Sequence, residues 1–117
     1  MAYSIIIPVY NELPTLKRLL KGLEQYYNDK HEILIIDDGS NDGSTKILEN
    51  CSYIKLIKFK FNLGKGVAIK KGIYKSKNSK ILIFDGDLEL KTNDISKLME
   101  LSRSKGINSI MGIRYKY

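Results

Sequence analysis

Residues 80 to 90 read KILIFDGDLEL, an apolar run that stops at Asp85-Gly86-Asp87, with Glu89 two residues further on. Side chains at i and i+2 of an extended segment point the same way, roughly 6.5–7 Å apart along the chain, so Asp85, Asp87 and Glu89 can face a common point. Gly86 permits a tight bend or the close approach of backbone to a ligand. Carboxylates held this close repel, and the usual offset is a hard cation. Mg2+ or Mn2+ takes one or two carboxylates and fills its remaining positions with substrate phosphates and water. The plainer alternative is that Asp85 ends a strand and caps a turn while Asp87 and Glu89 are solvated. Two aspartates at this spacing do not by themselves choose between these readings.

Two other stretches carry polar chemistry. DDGSNDGST (37–45) is a loop of good turn formers. It serves either as a plain strand-to-helix turn or as a place where Asp37 or Asp38 accepts hydrogen bonds from a nucleobase or ribose, as the acid after the second strand does in dinucleotide folds. NLGKGVAI (62–69) has neither the GxxxxGK[ST] spacing of a phosphate loop nor the position of a dinucleotide fingerprint. Lys65, beside two glycines at a helix start, can still assist an anionic ligand, and a plain glycine turn is the competing reading.

Five apolar runs must position these residues: YSIIIPVY (3–10), EILIID (32–37), YIKLIKF (53–59), KILIFD (80–85) and INSIMGIRY (107–115). Three are rich in Ile and Leu without alternation, the pattern of strands covered on both faces. Lys55 and Lys58 place the third run nearer an edge. Helical periods lie between the runs. In LPTLKRLLKGLEQYY the apolar set is Leu16, Leu19, Leu20, Leu23 and Tyr27, with Pro14 suited to the first turn. The others are DGSTKILENC, GKGVAIKKGIYKS and TNDISKLMELSRS, the last with Thr92 or Asn93 as N-cap and Gly106 as stop. Alternating strand and helix predicts an α/β fold: a doubly wound, mostly parallel sheet with helices on both faces. In such sheets ligands bind beyond the carboxyl ends of the strands, and the polar residues collect there: Pro8 to Glu12, Asp37 to Ser40, Asn62 to Gly66, and Asp85 to Asp87.

Composition fits one globular domain spanning residues 1–117, with 43% hydrophobic and 28% charged residues and no repeat or linker. The net charge of +7 implies an anionic partner. The lysines read as scattered, without an aromatic-interleaved basic block, which favours a solvated surface over a nucleic-acid site. Cys51 and His31 are each the single residue of their type, which excludes an internal disulfide and argues against a Cys/His metal cluster. No basic leader precedes the first short apolar run and no run reaches a membrane span, so the expectation is a cytoplasmic chain that can still sit on the inner face of a membrane.

The combination is more specific than its parts. SIIIPVYNE, ILIIDDGSNDGS, NLGKGVAIKKGI and ILIFDGDLEL, in this order and spacing, resemble the family 2 glycosyltransferases of the GT-A nucleotide-diphospho-sugar fold. The closest likeness is to the dolichyl-phosphate mannosyltransferase and polyprenyl-phosphate glycosyltransferase branch, whose metal motif commonly reads Asp-Ala-Asp-Leu-Gln. IMGIRY is similar to the Gly-Ser-Arg-Tyr/Phe stretch that follows one helix later. The resemblance implies that Pro8, Tyr10 and Glu12 line the nucleoside pocket. It implies that Asp38 contacts the base with Asp37 beside it, and that Arg114 lies near phosphate groups. Asp85 and Asp87 match the catalytic metal motif, with Glu89 where the branch has Gln and Gly86 where it has Ala.

The implied reaction is metal-dependent, inverting transfer of a sugar from a nucleotide diphosphate to a polyprenyl phosphate or a glycan hydroxyl. On this likeness the chain corresponds to the nucleotide-binding, N-terminal part of longer relatives. Two rivals fit parts of the same pattern: a haloacid-dehalogenase-type phosphotransferase with Asp85 as nucleophile, and a non-catalytic nucleotide-binding module.

Overall fold

The computed structural model describes residues 2–85, 91–105, 109–110 and 113–115, with side chains described as far as Leu101. In chain order the elements are β1 (Tyr3–Val9), α1 (Leu13–Asn28), β2 (Glu32–Asp37), α2 (Ser44–Glu49), β3 (Lys55–Lys58), α3 (Lys65–Lys75), β4 (Lys80–Ile83), α4 (Asn93–Lys105), β5 (Ser109–Ile110) and β6 (Ile113–Tyr115). The described strands form one sheet in the order β3-β2-β1-β4-β6-β5. Strands β1 to β4 run parallel, β6 pairs antiparallel to β4, and β5 antiparallel to β6.

This order explains the layers. From β1 the chain steps outward through α1 to β2 and α2 to β3, then reverses through α3 to reach β4 on the far side of β1. Right-handed crossovers moving in opposite directions put their helices on opposite faces. Accordingly Tyr3, Ile5, Ile7 and Val9 pack with Leu16, Leu20, Leu23, Ile95 and Met99 of α1 and α4. Ile6, Leu34, Ile36, Ile81 and Ile83 pack with Ala68 of α3 on the other face. All seven residues of β1 are buried, as the non-alternating Ile-rich run requires. β3 is the edge strand, with Lys55 and Lys58 exposed.

Two expectations need correction. INSIMGIRY is not one strand: β5 and β6 pair with each other, a reversal that apolar periodicity cannot register inside a continuous run. In α1 the buried tyrosine is Tyr26, while Tyr27 is half exposed. Helix α4 docks along the flank of α1, where the Tyr26 hydroxyl donates to the Thr92 carbonyl at 2.5 Å. Tyr27 instead packs on Tyr53, ring centroids 5.9 Å apart.

Helix α3 lies very close to the sheet because residue 72 is glycine. A Cβ there would sit 2.5 Å from Ile6 Cγ2 and 2.8 Å from Ile36 Cδ1. Gly72→Ala is therefore expected to lower stability. Overpacking a buried contact costs about 1–3 kcal/mol, which outweighs the roughly 1 kcal/mol an alanine gains in a helix interior. Urea unfolding checks this: a midpoint equal to or above that of the parent would show that α3 can lift off the sheet without cost.

Candidate functional site at the carboxyl ends of the strands

The reversal of strand order falls between β1 and β4, which is where doubly wound sheets open a crevice. Backbone pairing continues past the strand ends and carries the acidic tips there. Phe84 N–H donates to the Ile6 carbonyl at 2.9 Å and Asp38 N–H to the Val9 carbonyl at 2.8 Å. Asp85 and Asp38 thus flank the end of β1 from either side. Between them is a cleft of about 220 Å³ lined by Pro8, Val9, Tyr10, Glu12, Asp38, Asn62, Gly64, Lys65 and Asp85. Six of the residues expected from sequence come together in it: Pro8, Tyr10, Glu12, Asp38, Lys65 and Asp85.

Asp38 is 3% exposed, and its carboxylate accepts the N–H groups of Leu63 at 2.7 Å and Gly64 at 3.0 Å. Asn62 Nδ2 approaches the same carboxylate at 3.3 Å. The acid just past the second strand therefore pins the loop entering α3 against the cleft. Gly64, at the start of α3, has φ of +102°, and a Cβ on it would meet nothing within 4 Å. Gly66 is equally open, so the first turn of α3 presents backbone without obstruction.

Asp37 is placed differently. It is 1% exposed and does not line the cleft. One carboxylate oxygen accepts the Ser40 N–H at 3.0 Å and the other accepts the Thr45 hydroxyl. Its carboxylate shapes the loop that follows β2.

That loop is tied in turn to the one after β1. Asn11, with φ of +50°, donates its N–H to Ser40 Oγ at 2.9 Å and accepts the Asn41 N–H on Oδ1 at 2.8 Å. Asp42 accepts the Leu13 N–H at 3.1 Å and the Ser44 N–H at 3.0 Å, so one carboxylate serves the first turns of both α1 and α2. The Ser44 side chain, with the N–H groups of Ser44 and Leu13, holds the Asp42 carboxyl below the usual carboxylate range. The sequence gives Asn11, Asp42 and Asn62 no individual role. Their only local signal is that Asn and Asp are turn formers, whereas their partners lie up to thirty residues away.

Across the cleft, Lys65 Nζ stands 2.6 Å from Asp85 Oδ2, with the carboxylate side chain 17% exposed and the lysine 45%. Asp87 and Glu89 lie outside the described residues, and among the described residues no three His, Cys, Asp or Glu side chains gather as a metal cluster. Arg114 sits in β6 opposite Ile81 of β4, with β4 between it and β1; its side chain lies outside the described residues. The described donor suits a hard cation nonetheless. Asp85 is a partly buried oxygen donor at the mouth of the cleft, and a cationic group, the Lys65 ammonium, already rests on it.

Residues 4–117 match the family described as Glycosyl transferase family 2. The dolichyl-phosphate beta-glucosyltransferase of Dictyostelium discoideum is 34% identical over 112 residues, covering 84% of this chain and 34% of that protein. The undecaprenyl-phosphate 4-deoxy-4-formamido-L-arabinose transferase of Pseudomonas savastanoi pv. phaseolicola is 34% identical over 108 residues, covering 85% of this chain and 32% of that protein. Among solved structures, S. aureus TarS 1-349 in complex with UDP superposes with a TM-score of 0.71 at 22% identity, over 89% of this chain and 32% of that one. The mannosyltransferase PcManGT from Pyrobaculum calidifontis, in complex with GDP-Man and Mn2+, superposes with a TM-score of 0.65 at 24% identity, over 73% of this chain and 27% of that one.

This chain spans about a third of the length of the two curated relatives named. At these identities the structural likeness speaks for the fold, which is GT-A. The family match takes in Asp85 together with the three strand-helix units before it, which removes the ground for reading that aspartate as a haloacid-dehalogenase nucleophile. From motif order, strand order and this match together, the chain belongs to glycosyl transferase family 2.

Proposed function

We propose that residues 1–117 form the donor-binding domain of a metal-dependent, inverting glycosyltransferase that takes a sugar from a nucleotide diphosphate. The observation that carries this reading is the convergence of Asp38, Lys65 and Asp85 on one cleft at the strand-order reversal. Tyr10, 44% exposed on the cleft wall, offers a ring face to a nucleobase. Asp38 Oδ2 takes the Gly64 N–H and Asn62 Nδ2, while Oδ1 takes the Leu63 N–H and has a second acceptor direction, which suits a base N–H. Glu12, in the same wall, is assigned to the ribose. Asp37 is a positioning residue that keeps the 38–45 loop in shape. Lys65 and Arg114 are the cations assigned to the phosphates.

Asp85, with Asp87 and Glu89, would hold Mg2+ or Mn2+, as the Mn2+ complex of PcManGT favours. When bound, such an ion neutralises charge on the departing diphosphate and acts as a Lewis acid. The names of the two curated relatives favour a polyprenyl phosphate as acceptor. A phosphate acceptor is ionised at neutral pH and needs no general base, whereas a glycan hydroxyl requires a carboxylate to take its proton. The setting consistent with this acceptor is peripheral contact at the cytoplasmic face of a membrane. No helix among the described residues is long and apolar enough to cross one.

Calorimetric titration with UDP, GDP and CDP, each with Mn2+ and with EDTA, tests the reading. One of the three is expected to bind at least about fivefold tighter with the metal, the lower end of ordinary coupling between two ligands. Absence of metal-dependent binding for all three would sink it.

A further inference from the structure

Between Asn50 and Phe84 the chain has nine lysines and no Asp or Glu, while the remainder carries eleven Lys and Arg against thirteen Asp and Glu. The whole net positive charge therefore belongs to one segment, and that segment holds β3, α3 and β4. What reads as scattered along the sequence is gathered by the fold, because β3 is the sheet edge and the Ile6-Leu34-Ile36 face is covered by α3.

Helix α3 turns Ala68 and Gly72 to the sheet and presents Val67, Lys70, Lys71 and Tyr74 outward, the i, i+3, i+4, i+7 stripe of one face. Val67 is 46% exposed and Tyr74 76%, with Lys71 and Lys75 Nζ at 6.0 and 5.6 Å from the Tyr74 ring centre. The loop leading into this helix adds Phe61, 68% exposed, and Leu63, 53% exposed, with Lys60 Nζ 5.9 Å from the Phe61 ring. These apolar side chains have no route inward. Asp38 binds the loop by its backbone, and Gly39 lies so near Phe61 and Asn62 that a Cβ on it would be 2.6 Å from both backbones.

We propose that this face, the 60–63 loop together with the outer stripe of α3, docks on an anionic lipid bilayer. Phe61, Leu63 and Val67 enter the boundary between headgroups and acyl chains, and Lys60, Lys70 and Lys71 meet lipid phosphates. The composition favours lipid over nucleic acid. The segment contains no arginine, the residue suited to bidentate phosphate and base contacts, and the aliphatic Leu63 and Val67, which suit acyl chains and give a base nothing to stack on, lie between the exposed rings of Phe61 and Tyr74. The inference rests on the proposed lipid-linked acceptor for its meaning, since docking here would bring the Gly64-Lys65 rim of the cleft to the bilayer surface.

Flotation of the chain with vesicles of phosphatidylcholine, alone or with about 30 mol% phosphatidylglycerol, tests it at low and high salt. Binding is expected on the anionic vesicles only, and weaker in high salt. The pair Lys70→Glu and Lys71→Glu should weaken it about thirtyfold or more, and the pair Phe61→Ser and Val67→Ser about tenfold or more. Lys17→Glu with Lys21→Glu, a charge-matched pair exposed on α1 across the sheet, should leave it within about twofold. Equal binding to neutral vesicles, equal losses from the α1 pair, tighter binding to single-stranded RNA than to vesicles, or a concentration-dependent dimer abolished by the α3 pair would each overturn the proposal. Nucleotide titration of the α3 pair separates the two readings: vesicle binding lost with nucleotide binding intact marks the docking face, and intact nucleotide binding in a chain that never floats refutes the docking face alone.

Discussion

Asp38→Ala is expected to lower folding stability by about 2–3 kcal/mol and to abolish nucleotide binding in calorimetry. The carboxylate is buried and accepts two backbone N–H groups, at 2.7 and 3.0 Å, from a loop about twenty-five residues further along the chain. Hydrogen bonds to a charged acceptor contribute about 1.5–3 kcal/mol each, and donors left unpaired add to the loss. The expected figure stays at or below the lower end of that sum because Leu63 is exposed and Gly64 partly so, and water can reach the freed N–H groups.

Loss of binding follows from the same geometry, since Gly64 and Lys65 form the cleft wall that Asp38 holds in place. Asp38→Asn, which keeps one acceptor oxygen, should retain roughly half the stability difference. An Asp38→Ala protein with the parental urea midpoint would mean that the loop is held by Gly39 and Asn62 contacts without the acid.

The parts of this fold that were legible in the sequence are those set by local composition. Unalternating Ile and Leu mark β1, β2 and β4 as strands covered on both faces, and two lysines in four residues mark β3 as an edge. Proline at the start of α1 and the turn formers after each strand put the helix starts and the polar rim in place. What composition could not show depends on partners distant in sequence. The choice of Tyr26 over Tyr27 is made by Thr92, the residue just before α4, sixty-six residues away. Asp37 and Asp38 are chemically identical neighbours, yet successive residues of a strand point to opposite sides, so one supports its own loop and the other the loop of the next unit. The lysines looked dispersed because proximity in a crossover fold follows layer, and the layer of α3 is decided by the reversal of strand order.

Asp85→Ala and Lys65→Met are expected to change nucleotide binding in opposite ways with respect to metal, although the two side chains are partners at 2.6 Å. With the lysine nearly half exposed, the pair contributes about 0–1 kcal/mol to folding, so both variants should unfold close to the parent. Their effect on the cleft is larger. Removing the Asp85 carboxylate takes away an oxygen donor proposed for the divalent cation, and the whole metal-dependent gain in nucleotide affinity, about 5- to 150-fold between coupled ligands, should vanish. The titration with Mn2+ should then match that with EDTA.

Removing the Lys65 ammonium leaves an uncompensated carboxylate facing an anionic ligand. Like charges repel strongly where water is partly excluded, so binding in EDTA should fall well below that of the parent. Adding Mn2+ should restore most of it, because Asp85 is no longer shared with the lysine. The ratio of affinities with and without metal thus collapses to one in the first variant and widens in the second. Equal losses in Mn2+ and EDTA for both would identify the pair as a structural tie across the cleft and would require the cation to be held without Asp85.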